Sequence, residues 1–424
     1  MDTALHTLRE TIRDKNYVVG TYSIELPVEA DIIKKAEALA VGQTVGTWTP
    51  IPGITEAMRE KYMGKVLTIY ELPPIELTTQ VKGDKQVFLI QVAYPAANFG
   101  RDFPLMITSL LGNDASTSAQ VKLLDIEFPE TFLSNFNGPR FGIEGLRERL
   151  HVYDRPFLLN MIKPCTGITP SEGANIFYQV ALGGVDIIKD DELLGNPDYS
   201  LAEKRVLEYK KAAQRAFEVT GHRVHYFVNI SRGVNEILDG IRKVEEAGAD
   251  GIMVNFAVLG YSCLKYIAEH TVLPILAHSA GVGMFTEGSA NGMVTPLAVG
   301  KLTRIAGADI VMVNTPYGGY PLRKQKYLQT LQQLTLPLKH IKASLPSLGG
   351  GVHPGIVEKY IHEAGKDIVL AAGGAIQGHS MGPTAGAKAM RKAIEIAAVG
   401  RPFLEAAQES EELKLALEHW GYIQ

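Results

Sequence analysis

The sequence predicts a (β/α)8 barrel of the TIM type over residues 141–424, preceded by a small α+β, ferredoxin-like domain over residues 1–140. One pattern recurs four times: a glycine turn and an aspartate lead into a run of apolar residues. Its copies are GGVDIIKDDE (183–192), AGADGIMVNF (247–256), AGADIVMVNT (306–315) and AGKDIVLAAGG (364–374). The aspartates, at 186, 250, 309 and 367, are therefore 64, 59 and 58 positions apart. A regular internal repeat of this length is typical of stacked βα units.

Four further apolar runs alternate with these copies and bring the predicted strands to eight. They are PFLLNMIK (156–163), HYFVNIS (225–231), LPILAHS (273–279) and HIKASLPS (340–347). Helical stretches such as 203–220 and 235–247 separate the strands, and 405–420 is predicted to be a helical extension on the outside. Strands that alternate with helices form a parallel sheet. Eight evenly spaced units favour a closed barrel over the alternative, a doubly wound open sheet.

The first 140 residues lack this regular spacing. Residues 17–25, 66–71 and 86–93 have strand-like patterns, and 29–39 has helical periodicity with Asp31 near its start. Strand and helix alternate irregularly, which indicates a separate α+β domain.

The composition excludes several classes of protein. The chain has 424 residues, of which 46% are apolar and 21% charged, with a net charge of −4. This balance is that of a globular protein and offers no basic surface for nucleic acid. Two cysteines, Cys165 and Cys263, predict neither a disulfide framework nor a cysteine zinc site. We find neither a secretory signal nor an apolar run of ~20 residues, so we expect a cytoplasmic protein that does not bind membranes.

The chemistry of a (β/α)8 barrel lies at the carboxyl ends of its strands. The residues there are Lys163, Lys189–Glu192, Asn229, Asn255, His278, Asn314, Gly349–His353 and Gly373–Gly374. The most informative of these segments is Lys189-Asp190-Asp191-Glu192, because carboxylates are the ligands that Mg²⁺ prefers. Lys189 lies two positions before Asp191, on the same side of the strand. A lysine ammonium cannot bind a metal, but a carbamate on its nitrogen can. The alternative is a solvated acidic loop with Lys189 in a salt bridge.

Four motifs in order along the chain resemble the large subunit of ribulose-bisphosphate carboxylase and its RuBisCO-like relatives. They are GTWT (46–49), IKPCTGIT (162–169), GGVDIIKDDE and AAGGAIQGH (371–379). The resemblance covers nearly the whole chain, and the ending LKLALEHWG (413–421) is similar to the 2,3-diketo-5-methylthiopentyl-1-phosphate enolase branch. It implies that CO₂ carbamylates Lys189 and that the carbamate ligates Mg²⁺ together with Asp191 and Glu192.

Glycine-rich loops follow the last two strands and predict an anion site. Backbone N–H groups in such loops can surround a phosphate, and glycine allows close approach. The alternative is that these glycines merely turn the chain. The resemblance implies that Gly351, Gly373 and Gly374 bind one phosphate, helped by Thr47 and Trp48. In the family the N-terminal domain reaches across to a partner subunit, which implies an obligate homodimer or a higher homo-oligomer with shared active sites.

Departures from the carboxylase pattern predict a different reaction. Tyr320 stands near the position of the carboxylase's mobile-loop lysine, and Ser279 replaces the arginine of the second phosphate site. The histidine of that second site is replaced by Met312 or Val313, while His278 is retained. We therefore expect a RuBisCO-like protein that acts on a small substrate with one phosphate and does not fix CO₂.

The enolase branch is also matched incompletely. Its proton-abstracting lysine corresponds to Asn113 here, and an amide cannot serve as a base. Asn113 is expected to bind the metal or a substrate oxygen. The base is then Lys163, the carbamate on Lys189, or His278.

These residues predict an enzyme that forms a metal-bound enediolate from a phosphorylated keto-sugar or keto-sugar-acid, with an isomerase or decarboxylase outcome. One alternative is the 2,3-diketo-5-methylthiopentyl-1-phosphate enolase reaction, and another is a non-catalytic ligand-binding protein. A third is an aldolase that forms a Schiff base on Lys163 or Lys189.

Overall fold

The chain forms two compact units. The computed structural model describes residues 7–13, 15–47, 51–81 and 83–423, with the side chain of Thr78 left aside. One unit consists of the described residues up to Phe136 together with Val282–Ala298. The other consists of Asn137–Gly281 and the described residues from Val299 onwards. The segment 282–298 lies within the range predicted for the barrel, 141–424, but groups with the N-terminal unit.

The N-terminal unit is built on a four-stranded antiparallel sheet with the order β2-β3-β1-β4. Its strands are β1 (Tyr17–Pro27), β2 (Lys65–Leu72), β3 (Lys85–Pro95) and β4 (Lys122–Glu127). Its helices are α1 (Ile32–Gly42), α2 (Glu56–Tyr62), α3 (Phe103–Leu111) and α4 (Glu130–Leu133). The chain order βαββαβ around α1 and α3, with this strand order, confirms the predicted ferredoxin-like fold.

Helix α1 begins where its sequence predicts. The Asp31 side chain accepts hydrogen bonds from the backbone N–H groups of Ile33 (3.1 Å) and Lys34 (3.2 Å). An aspartate at this position satisfies amide donors that have no partner within the helix. Ala36, Leu39 and Ala40 are buried and form the apolar face of the helix.

The second unit is a closed barrel of eight parallel strands, as predicted. They are β5 (Phe157–Met161), β6 (Ile187–Lys189), β7 (His225–Asn229), β8 (Gly251–Asn255), β9 (Ile275–His278), β10 (Ile310–Asn314), β11 (Leu345–Gly349) and β12 (Val369–Ala371). Neighbours follow chain order, and β12 pairs with β5 to close the ring. The predicted strand 340–347 begins later, at Leu345, because the Arg304 guanidinium binds the carbonyl groups of Ile341 (2.9 Å) and Lys342 (2.8 Å).

Further helices follow α4 in chain order and include those that surround the barrel. They are α5 (Gly142–Leu150), α6 (Pro170–Ala181), α7 (Ala202–Thr220), α8 (Ile237–Glu246), α9 (Phe256–Leu259), α10 (Tyr261–His270), α11 (Gly283–Thr286), α12 (Leu302–Ala306), α13 (Lys324–Thr335), α14 (Val357–Ala364), α15 (Gly374–Gln377), α16 (Pro383–Ala398), α17 (Phe403–Ala406) and α18 (Glu411–Trp420). The predicted helix 405–420 is interrupted. A new helix begins after Ser410, whose side chain accepts the backbone N–H of Leu413. No helix among the described residues has the length and apolarity needed to cross a membrane.

The barrel interior is filled by side chains. Buried residues from all eight strands form one apolar cluster that includes Leu159, Ile187, Phe227, Met253, Leu276, Ile310, Leu345 and Val369. Leu146 and Leu150 of α5 belong to the same cluster. Fully burying such a side chain contributes roughly 1.5–3 kcal/mol, so this packing supports the strand ends that carry the polar residues.

The repeated aspartates have a structural role at the amino ends of the strands. Asp186 accepts the backbone N–H of Leu158 on β5 (2.8 Å), and Asp250 that of Tyr226 on β7 (2.9 Å). Asp309 accepts the N–H of Ile275 on β9 (3.0 Å). These three carboxylates therefore link adjacent strands at the end of the barrel opposite the expected chemistry, which explains why the repeat preserves them.

Candidate active site

The carboxyl ends of the barrel strands surround a cavity of about 780 Å³. Its lining includes Lys163, Glu192, His278, Gly351, Gly373 and Gly374. Residues from five strand ends thus meet in one place, although they are up to 211 positions apart in the chain, from 163 to 374. A larger groove of about 920 Å³ lies against α13, α14 and the segment 402–405, but it contains none of the predicted site residues.

Lys189 is the last residue of β6 and is completely buried. Its Nζ donates a hydrogen bond to the carbonyl oxygen of Asp190 (2.9 Å). Burial lowers the pKa of this lysine below its ordinary value, although the carboxylates that follow it act in the opposite direction. Desolvation disfavours the charged form of this amine, and the neutral form is the one that reacts with CO₂.

Lys163 follows β5 and forms an ion pair with Asp191. Its Nζ lies 2.6 Å from Asp191 Oδ2 and 3.2 Å from Cys165 Sγ. Burial acts to lower the pKa of Lys163, but the hydrogen bonds with Asp191 and Cys165 outweigh burial and raise it. Lys163 is therefore an ammonium in this state, and Asp191 is a buried carboxylate whose pKa is held below the ordinary value against its own desolvation.

His278 ends β9 and is neutral at neutral pH. Burial, followed by the charge of Lys189, holds the pKa of His278 well below its ordinary value. Its Nδ1 accepts the backbone N–H of Ala280 (3.1 Å), which places the ring proton on Nε2. Nε2 lies 3.5 Å from Glu192 Oε2. The one acceptor nitrogen of this imidazole is thus already occupied, so His278 is better placed to donate a proton than to receive one.

The residues at the end of β6 suit a hard divalent cation on the condition that Lys189 carries a carbamate. Asp191 and Glu192 supply carboxylate oxygens, but the amine of Lys189 supplies no oxygen donor. Within the described part of the chain, no group of three or more His, Cys, Asp and Glu side chains is arranged to hold a metal. A carbamate on Lys189 would provide the third oxygen donor and complete a set that suits Mg²⁺.

The acidic segment is held in place by residues that the sequence indicates only in part. Asp190 is fully buried and accepts hydrogen bonds from Arg205 (2.9 Å) and Tyr226 (2.6 Å). Asn229 donates to the carbonyl oxygens of Asp191 (3.3 Å) and Glu192 (3.2 Å), and Asn255 donates to that of Glu192 (2.9 Å). The two asparagines were noticeable in the sequence as polar residues at strand ends. Arg205 gave no such signal, because it comes from the side of helix α7.

The glycines of the predicted phosphate site are explained in different ways. Gly351 has φ +106°, a conformation that favours glycine. A Cβ on Gly373 would lie 2.5 Å from Met161 Sδ, so any larger residue there requires the Met161 side chain to move. A Cβ on Gly374 would meet no described heavy atom within 4 Å. Gly374 is therefore the position where the absence of a side chain leaves the backbone open to the cavity.

Some of the other candidate residues line the cavity, whereas others are held by hydrogen bonds to the surrounding backbone. Both ring nitrogens of His379 have local backbone partners, Glu412 O (2.9 Å) and Met381 N (3.1 Å). His353 lines the cavity, and its Nδ1 has no hydrogen-bond partner among the described residues. Tyr320 and Trp420 also line the cavity. Trp420 is notable because it ends α18, so the C-terminal helix contributes a residue to the cavity.

Three predicted site residues belong to the N-terminal unit or lie outside the described residues. Asn113 is exposed and directly precedes a π-helical turn, Asp114–Ala119. Thr47 is partly buried, and Trp48 lies outside the described residues. Their roles in binding the metal or substrate phosphate stay predictions.

Comparison with known proteins covers both units. The family model described as ribulose bisphosphate carboxylase large chain, catalytic domain, matches residues 142–420, and the model of the N-terminal domain of the same chain matches residues 9–132. The chain is 40% identical to a ribulose bisphosphate carboxylase-like protein of Archaeoglobus fulgidus, over 96% of this chain and 93% of that protein. It is 36% identical to the 2,3-diketo-5-methylthiopentyl-1-phosphate enolase of Geobacillus kaustophilus, over 96% and 98% of the two chains. Among solved structures, a rubisco-like protein from Alicyclobacillus acidocaldarius superimposes with a TM-score of 0.88 at 34% identity, over 96% and 100% of the two chains.

Proposed function

Since the chain belongs to the ribulose bisphosphate carboxylase large-chain family, we propose that it is an enzyme that enolises a phosphorylated keto-sugar or keto-sugar-acid and does not fix CO₂. The observation that carries this proposal is the convergence of Lys163 and Glu192 with Gly374 on one cavity. Such a reaction needs three parts, which are a group that transfers a proton, an acidic segment that binds a metal and an open stretch of backbone that binds an anion.

The proposed metal site consists of Lys189 as its carbamate, Asp191 and Glu192, and the proposed ion is Mg²⁺. When bound, the ion polarises a substrate carbonyl and so acidifies the neighbouring C–H bond. Asn229 and Asn255 support the site because they hold the backbone carbonyl groups of this segment. Asn113 is proposed as a further ligand of the metal or of a substrate oxygen.

Lys163 is the leading candidate for the group that moves the substrate proton. In the described state it is protonated and paired with Asp191, so it must lose both that partner and its proton before it acts as a base. As an ammonium it would instead stabilise negative charge on a substrate oxygen. The carbamate on Lys189 is the second candidate. His278 is the weakest of the three, because Ala280 occupies its acceptor nitrogen.

The proposed substrate carries a single phosphate bound by Gly351, Gly373, Gly374, Thr47 and Trp48. The open space beside Gly374 supports this proposal. Ser279 lines the same cavity where a bisphosphate would need a cation, and Tyr320, in place of a lysine, is 81% exposed. We therefore propose that ribulose 1,5-bisphosphate is not carboxylated. The homodimer implied by the sequence resemblance is part of the same proposal, because it would bring an N-terminal domain to a neighbouring active site.

The two candidate functions differ in what happens to the substrate after it is enolised. Reprotonation at another carbon makes the enzyme an isomerase, and loss of CO₂ from a 3-oxo acid makes it a decarboxylase. Asn113 in place of the enolase lysine favours these outcomes. The second candidate is the 2,3-diketo-5-methylthiopentyl-1-phosphate enolase reaction, which is favoured by the 36% identity to proteins of that name.

A substrate panel tests the proposal. The protein is incubated in D₂O with Mg²⁺, bicarbonate and each of several ketose phosphates, keto-acid phosphates and 2,3-diketo-5-methylthiopentyl 1-phosphate, and products are followed by ³¹P and ¹H NMR. Deuterium uptake with a keto-sugar compound supports the first function, and turnover of the diketone alone supports the second. Binding without exchange would indicate a non-catalytic protein. A covalent adduct trapped by borohydride on Lys163 or Lys189 would indicate a Schiff-base aldolase.

A further inference from the structure

Strand pairing between β12 and β5 ends just before the two chain segments enter the site. The last paired residues are Ala371 and Leu159, and the N–H of Ala372 still binds the carbonyl oxygen of Leu159 (2.9 Å). Beyond this point one segment continues to Gly373 and the other to Lys163. The N–H of Ile162 still binds the carbonyl oxygen of Lys189 on β6 (3.1 Å), but among the described residues no backbone hydrogen bond joins these two segments directly beyond this point.

The side chain of Gln377 bridges the two segments. Its Nε2 donates to Asn160 Oδ1 (2.9 Å) and to the carbonyl oxygen of Met161 (2.9 Å), and its Oε1 accepts the backbone N–H of Lys163 (3.2 Å). The orientation of the amide is determined by these partners, because a flipped amide would place oxygen against two acceptors. Asn160 extends the bridge by donating to the carbonyl oxygen of Ala372 (2.7 Å).

The bridge holds the backbone of Lys163, the residue proposed to transfer the substrate proton. Lys163 carries the Nζ that lies 2.6 Å from Asp191, and a Cβ built on Gly373 would lie 3.7 Å from Lys163 Cε. A shift of the Lys163 backbone would therefore change both the distance from the ammonium to Asp191 and the packing of the lysine stem beside Gly373. Misplacement of a reacting group by about 1 Å can reduce the rate by about 10².

We infer that Gln377 is a positioning residue, which fixes the backbone at Lys163 and so sets where the Lys163 amine meets the substrate. This inference rests on the proposed function, because the rate effect requires Lys163 to act on the substrate. The claim that Gln377 determines the position of Lys163 does not depend on any reaction.

The test uses two substitutions at this position and one control. Gln377→Leu removes all three hydrogen bonds, whereas Gln377→Glu keeps the acceptor for the N–H of Lys163 but places an oxygen against Asn160 and Met161. Gln214→Leu is the control, since Gln214 is an exposed glutamine of α7 whose amide binds Glu218. Thermal unfolding of each variant identifies any general loss of structure.

We expect Gln377→Leu to lower kcat and the rate of substrate deuterium exchange in parallel, by about 10- to 100-fold. KM should change much less. The kcat and exchange rate of Gln377→Glu should lie between those of Gln377→Leu and the wild type. If the wild type is active and Gln377→Leu retains its kcat, the inference is wrong. Loss of substrate binding with an unchanged rate of exchange at saturation would also overturn it.

A readout without catalysis separates this inference from the proposed function. Reductive methylation followed by mass spectrometry measures the reactivity of Lys163, with exposed Lys34 as an internal reference. Gln377→Leu should raise labelling of Lys163 several-fold relative to Lys34, and Gln214→Leu should leave the ratio unchanged. If no substrate reacts with the wild type, the proposed function fails, and this labelling ratio still decides whether Gln377 positions Lys163.

Discussion

Lys163 Nζ and Asp191 Oδ2 lie 2.6 Å apart and join the ends of β5 and β6 at the mouth of the barrel. The carboxylate is almost fully buried, whereas the lysine side chain is 38% exposed. Asp191 thus has a cationic partner in place, and the proposed metal would compete with that partner.

Replacing Lys163 with methionine should remove proton transfer while leaving substrate binding. Methionine keeps the length of the side chain but can neither hold nor move a proton. Loss of one general base typically costs about 10²–10⁴ in rate, so turnover and deuterium exchange should fall together by that amount. NMR in D₂O measures both. Exchange at the wild-type rate in Lys163→Met would exclude Lys163 as the base and leave the carbamate of Lys189 as the leading candidate.

Lys189→Ala should abolish turnover and strongly weaken Mg²⁺ binding. The substitution removes the only nitrogen in the proposed ligand set that CO₂ can convert into an oxygen donor. Titration calorimetry with Mg²⁺ in the presence of bicarbonate measures the binding, and preincubation with CO₂ should activate the wild type but not Lys189→Ala. Lys211→Ala, an exposed lysine of α7, is the matched control. Full activity of Lys189→Ala would rule out the carbamate.

The two glycines after β12 should respond differently to alanine. Gly374→Ala meets no described atom within 4 Å, so it should fold normally and mainly raise KM for a phosphorylated substrate. Gly373→Ala would press on Met161, and overpacking of this kind typically costs about 1–3 kcal/mol of stability. Denaturant unfolding and steady-state kinetics separate the two effects. An unchanged KM in Gly374→Ala would argue against a phosphate at this loop.

Asp186→Asn should destabilise the barrel, and the loss should depend on pH. Asp186 is buried and paired with Arg155 at 2.7 Å. Burial opposes its ionisation, but Arg155, His222 and Arg391 outweigh burial and hold the pKa of Asp186 well below its ordinary value. Leaving one partner of a buried pair without its counter-charge costs about 3–5 kcal/mol, which chemical denaturation measures at neutral pH.

The sign of the pH effect follows from the depressed pKa. The stabilisation by Asp186 is complete above the pKa of the unfolded chain, about 3.9, and is lost as the pH falls from there towards the lower folded value. The difference between the wild type and Asp186→Asn should therefore shrink in acid. Asp367→Asn changes the corresponding aspartate of another repeat, but Asp367 is 58% exposed, so a loss of at most about 1 kcal/mol is expected. Equal losses for the two variants would contradict this account.

The sequence by itself predicted the fold, which the structure confirms, and indicated where the site is to be expected. The recurrence of an aspartate before each of four apolar runs indicated a barrel, because βα units repeat the same local structure along the chain. The rule that barrel chemistry lies at the carboxyl ends of the strands then made Lys163, Lys189 and His278 candidates from sequence positions alone. Local patterns were sufficient for these predictions because strand direction follows from chain order.

Only the tertiary structure decided which groups act on one another. The pairing of Lys163 with Asp191, the bridge made by Gln377 and the contact of Gly373 with Met161 all join segments that are distant in sequence. A side chain's protonation depends on the burial and charges that surround it. Lys189 and His278 lie in surroundings that lower the pKa, whereas Lys163 has an acidic partner that raises it. These surroundings arise when the barrel closes, so the order of the residues could name the candidates but could not assign their charges.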